Sequence, residues 1–249
     1  METAERRLRR AARLLRRCAR AFACVLPFGF VVTQGHAAQL GGAYFVDDAE
    51  IGPVGSCEVE SWASFAGNTD RIFVSNPACV FNLGHPVELG ATYLRTRLDG
   101  VWGTTLAATA KAVLTPIDGM RPGVAVSGAV TYDAINDVVN GVYVNVPLTF
   151  EPSKQLRINL NGGLLYDPSR QQLFATPGAG FSWSFVKTLS LNAELFAIIG
   201  PGQTNPRSQV GLRYTPIDSI DFDVIYGRNL TGERANWITA GLNFRLGYK

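Results

Sequence analysis

Nine charged side chains stand out against a background of Gly, Asn, Ser and Thr: Glu60, Glu88, Lys111, Arg157, Glu194, Arg213, Asp221, Asp223 and Arg245. Each lies on the polar parity of a two-residue alternation, as Asn159 and Asn161 do, so these residues share one kind of face. Opposed charges on such a face can order water and select a solute by its charge. Bond-breaking needs more than that. Outside the first 38 residues the one histidine is His85, in the turn "GHP", and no Ser-Asn pair stands near it. A Ser-His-acid hydrolase requires that imidazole beside a serine, so no catalytic residue is assigned. "VDDAE", with Asp47, Asp48 and Glu50, lacks the spaced oxygens of a calcium loop and reads as a solvated acidic tail. "GAG" at 178–180 and "GPG" at 200–202 precede no helix, so neither is a phosphate loop. No metal or cofactor is expected.

The elements that position these residues are strands. In "LRINLNGGLLY", Leu156, Ile158, Leu160, Leu164 and Tyr166 oppose Arg157, Asn159 and Asn161; "LSLNAELFAII" and "IDFDVIY" behave alike. Beyond Cys57 no segment keeps an apolar stripe at helical spacing. Eleven turn signals, among them "NTD", "LDG", "EPSKQ", "DPSRQ" and "GPGQTNPR", divide this region into twelve strands. They are placed at 58–66, 71–83, 86–98, 101–114, 122–133, 140–150, 155–166, 171–185, 188–199, 206–214, 219–228 and 235–248. In the second, Asn76 and Pro77 suggest a bulge or an early end.

An even-numbered meander closes with no unpaired edge, as lipid requires. The same alternation would also serve a soluble β-protein with its apolar face inward. Two features favour the transmembrane antiparallel up-and-down barrel. The polar face is not the Lys/Glu-rich surface of a soluble sheet, and aromatics gather toward strand ends: Phe150, Tyr166, Phe181, Trp183, Tyr214, Tyr226 and Tyr248.

The first twenty residues carry eight arginines and precede the apolar run "AFACVLPFGFVV" and the small residues of "TQGHAAQ". This reads as a signal peptide over 1–38, cut after Ala37 or Ala38, with an Arg-rich mitochondrial presequence as the competing reading. Its removal turns the formal charge from +3 to about −3, so no nucleic-acid partner is expected. Cys57 and Cys79 remain, and a three-residue turn at Gly67, Asn68 and Thr69 sets them opposite each other, as a disulfide needs.

"VNVPLTFEPSKQLRINLNGGLLYD", "PVELGATYLRTR" and the terminal "GLNFRL" resemble alphaproteobacterial outer-membrane β-barrels grouped with the meta-pathway phenol-degradation or transporter-like family. The resemblance implies an outer-membrane channel or transporter of Gram-negative bacteria, and it carries over no substrate-binding residue. Such barrels commonly finish on an aromatic, whereas Lys249 follows Tyr248 here.

The expectation is a channel with a narrow charged lumen, whose partners are outer-membrane lipid, the barrel-assembly machinery and a small-molecule solute. Pairing of Glu60, Glu194, Asp221 and Asp223 with Arg157, Lys111, Arg213 and Arg245 would make the pore narrow and selective by those rings of charge, and complete pairing would close it to conduction. Residues 39–56 form a periplasmic arm that either plugs the lumen or trails as a tether, and 57–249 form the barrel. The last strand seals against the first, with Arg245 meeting Glu58 or Glu60 and with Phe244, Leu246 and Tyr248 as an assembly signal. A non-conducting structural barrel and a soluble periplasmic lipid-binding protein are the alternatives.

Overall fold

The computed structural model describes residues 43–118, 121–232 and 235–247. The expected signal peptide, Tyr248 and the first residues of the expected arm fall outside them. Twelve strands follow in chain order: β1 (Cys57–Ala66), β2 (Arg71–Asn82), β3 (Pro86–Leu98), β4 (Val101–Thr115), β5 (Gly123–Asp133), β6 (Val138–Ser153), β7 (Leu156–Asp167), β8 (Gln172–Val186), β9 (Leu189–Gly200), β10 (Gln203–Ile217), β11 (Ile220–Asn229) and β12 (Asn236–Leu246). Every strand pairs antiparallel with its sequence neighbours, and β12 returns to β1 to close the barrel. All twelve reach the roughly 9–11 residues that a tilted strand needs to cross a bilayer.

The alternation sorts the barrel into two faces. Leu195, Leu212, Val224 and Ile238 stand exposed outside, while Asn145, Asn159, Thr176 and Asn243 are fully buried within. An apolar belt on a closed barrel is the outer surface of a membrane-spanning β-barrel. A polar interior is the reverse of what a soluble lipid-binding barrel needs, and that alternative is set aside. Tyr166, Phe181, Trp183, Tyr214 and Tyr226 lie on the outside, as an interfacial girdle requires.

Three strands depart most from the sequence expectation. β2 runs through Asn76 and Pro77, with the same register to β3 before and after them (Ser75↔Tyr93, Ala78↔Gly90). Ladders on both sides hold the strand straight where proline removes one donor. β10 begins at Gln203 rather than 206, because "GPGQTNPR" spends only Pro201 and Gly202 on its turn, with Gly202 at φ +73°. β6 begins at Val138, since the turn ends at Asp137 and the register shift next to Tyr132 absorbs the extra residue.

Cys57 and Cys79 are directly paired on β1 and β2 and form a disulfide with Cα atoms 4.0 Å apart. Their parity is that of Phe65 and Phe73, so the bridge lies on the outer face near the end of the barrel where the chain enters.

Candidate functional site

Every charged residue singled out in the sequence lies on the inner face. Glu60, Glu88, Lys111, Asn159, Asn161, Glu194, Arg213, Asp221 and Asp223 are buried there, with Arg157 and Arg245 partly so. The strand period dictates that placement. What they contact falls into two groups.

The first group spans β10, β11, β12 and β1. Arg213 forms a two-pronged pair with Asp223, Nε and Nη2 each 2.9 Å from a carboxylate oxygen, and lies 3.7 Å from Asp221. Arg245 donates to Asp221 and stands 3.6 Å from Glu58 across the closing seam. Arg245 thus meets Glu58 at the seam, one of the two partners that register offers it. Together Arg213 and Arg245 tie four consecutive strands of the closed ring. A polar cavity of about 400 Å³ opens beside them, lined in part by Glu151, Arg157, Ser182 and Thr215.

The second group departs from expectation. Lys111 and Arg157 meet the acids of the arm, and Arg157 also meets Glu151 of β6. Lys111 Nζ stands 2.8 Å from Asp47 and 3.3 Å from Asp48, and Arg157 Nη1 stands 3.3 Å from Asp48 and 2.7 Å from Glu50. "VDDAE" is therefore not a solvated tail. Asp47 and Asp48 are 1% and 0% exposed, inside the barrel. A buried carboxylate is tolerated only when paired, and the lumen supplies the cations.

Side chains of the wall also satisfy the backbone of this segment. Glu194 accepts the N–H groups of Phe45 and Val46 at 2.7 and 2.9 Å. Asn161 accepts the Asp47 N–H at 2.8 Å and donates to the Asp47 carbonyl at 2.7 Å, as a neighbouring strand would. Thr149 accepts the Ala49 N–H at 2.8 Å, and Gln209 donates to the Ala43 carbonyl at 3.0 Å. Glu194 thus serves the arm backbone rather than an arginine. Phe45 stacks on Phe196 with ring centroids 4.3 Å apart, and Arg213 lies over the Tyr44 ring.

The wall is cut back where the arm passes. A Cβ on Gly178 would come within 2.9 Å of Val46 Cγ2, and one on Gly180 within 3.5 Å of Val46 Cβ. Sequence reasoning passed over "GAG" once it failed as a phosphate loop. Glycine inside a strand also marks the close approach of another backbone, and that signal was present.

A family model described as "Uncharacterised conserved protein UCP029691" matches residues 29–246. The chain belongs to this family. The matched stretch takes in residues 39–56 and all twelve strands. No curated protein matches the chain. Solved structures share the fold at low identity. The COG4313 outer membrane channel from Pseudomonas putida F1 aligns at TM-score 0.62 and 14% identity over 80% of this chain and 98% of its own. The NanC porin aligns at 0.60 and 9% over 76% and 100%, and the KdgM porin at 0.59 and 11% over 75% and 98%. The chain shares the fold of these outer-membrane porin-like barrels.

Proposed function

We propose that this protein is an outer-membrane channel for small solutes whose lumen is held shut by its own N-terminal arm. One observation carries the reading: the arm occupies a polar conduit whose wall side chains bond to it at five successive residues, from Phe45 to Ala49. With the arm withdrawn, Lys111, Arg157 and Glu194 would face water as rings of charge in a narrow pore. Carboxylates outnumber cations on that inner face, which favours neutral or cationic solutes over anions. The likeness to meta-pathway transporter-like barrels supports including small aromatics in a solute panel. Insertion would place both termini in the periplasm, with outer-membrane lipid around the belt and the barrel-assembly machinery engaging β12.

Planar-bilayer recording of the mature chain beside a chain lacking residues 39–52 tests this reading. Discrete conductance should be rare in the first and frequent in the second, with a cation-selective reversal potential. A second reading, a non-conducting barrel that serves envelope integrity, is favoured by the complete burial of Lys111 and Asp48 inside the barrel. Silence of both chains at every voltage would establish it over the channel.

A further inference from the structure

The outer face carries almost no charge, and the exceptions are of one kind. Among the described strand residues, the charged side chains on the outward parity are Arg71, Arg95, Arg97 and Arg228. All are arginine. All lie within four residues of the strand ends remote from the chain termini, Arg71 opening β2, Arg95 and Arg97 closing β3, and Arg228 near the end of β11.

Three of them form a patch. The register aligns Phe65, Arg71, Arg97 and Trp102 as one outward row across β1, β2, β3 and β4, with Phe73 and Arg95 paired in the row below. Arg71 lies over the Phe65 ring at 5.4 Å, and Arg95 over Trp102 at 4.9 Å. Phe73 bridges the two aromatics, 6.0 Å from Phe65 and 6.4 Å from Trp102. Arg71 and Arg97 are direct cross-strand partners, a placement in which like charges destabilise a sheet. No ion pair to any of the three occurs among the described residues; Arg71 donates only to the Asp70 carbonyl, and Arg95 to Thr104 and the Gly103 carbonyl. Nearby Asp70 is occupied by Asn68 and the Asp99 N–H.

We infer that Arg71, Arg95 and Arg97 form a docking site for a phosphate-bearing glycolipid of the outer leaflet. With both termini periplasmic, the patch lies at the headgroup level of the outer leaflet. Guanidinium groups match phosphate oxygens in pairs, and an anion between Arg71 and Arg97 turns their repulsion into shared attraction. Phe65, Phe73, Tyr93 and Trp102, all exposed, offer flat apolar ground for the acyl chains below. Charge complementarity therefore selects an anionic lipid over a neutral one, and over a second copy of this chain, whose matching patch would repel.

Native mass spectrometry of the full mature chain, released from micelles doped with bisphosphorylated lipid A or with the same lipid stripped of phosphate, tests the inference. Unaltered protein should retain the phosphorylated lipid one-to-one and release the stripped one. Replacing the trio together (Arg71→Gln, Arg95→Gln, Arg97→Gln) should weaken retention about tenfold or more. Arg228→Gln should leave it unchanged, and free inorganic phosphate should not compete. Equal retention of both lipids by unaltered protein would overturn the inference whether or not the triple variant folds. So would a lipid-independent dimer through this face.

Discussion

Lys111 Nζ lies 2.8 Å from Asp47 Oδ1 with both side chains shut away from solvent. The pair joins the barrel wall to a segment 64 residues earlier in the chain. Removing one member of a buried pair strands the other charge, at a cost of about 3–5 kcal/mol. Lys111→Met should therefore release the arm while the barrel stays folded. Limited proteolysis before Cys57 should become rapid in the variant, and Asp47→Asn combined with it should restore part of the protection.

Asn161 offers a test that leaves charge unchanged. Its amide bonds both the N–H and the carbonyl of Asp47, and it also accepts from Asn145. Asn161→Leu keeps the volume and leaves buried backbone groups unpaired, each costing about 1–3 kcal/mol. Faster amide hydrogen exchange over residues 45–50 is the expected outcome, with exchange in β7 little changed.

Steric exclusion at Gly178 should act first on the arm. A Cβ there would meet Val46 Cγ2 at 2.9 Å, whereas the nearest wall atoms, on Phe196 and Asn161, lie at 3.6 and 3.8 Å, ordinary contact distances. Gly178→Val should expel the arm, raise channel open probability in a bilayer and leave the heat-modifiable gel shift of the folded barrel in place. A variant that recorded as quietly as the parent would count against the plugging role.

The barrel could be read from the sequence because a period of two and well-marked turns fix strands independently of what surrounds them. Cys57 opposite Cys79 and Arg245 at the seam followed from register alone. The arm did not follow. A short run such as "AYFVDDAE" has no periodicity of its own, and its structure is set by Glu194, Asn161 and Lys111, which lie far away in sequence. Charge balance is equally silent on the arm: Lys111 meets Asp47 and Asp48, and Arg157 meets Asp48 and Glu50 as well as Glu151 of β6, because the arm brings acids together with backbone donors that the wall can also satisfy. At the β6 and β10 boundaries, Asn and Pro were read as turn residues although edge positions of a barrel rim accept both.

Arg245 should govern closure rather than conduction. It stands on β12, donates to Asp221 on β11 and reaches Glu58 on β1, so one side chain spans the joint that turns an open sheet into a ring. Ten residue pairs hold that joint by backbone bonds, from Cys57↔Leu246 to Ala66↔Trp237, so the barrel should survive loss of the guanidinium. Two carboxylates would lose a cation, however, and Glu58 and Asp221 are both buried. Arg245→Met should lower the temperature at which the compact gel band converts to the extended one, whereas Arg245→Lys should recover part of the difference. Lys111→Met, acting on the arm, should leave that conversion temperature nearly unchanged. A seam effect from Lys111→Met equal to that of Arg245→Met would show that the arm and the closing joint are one cooperative unit.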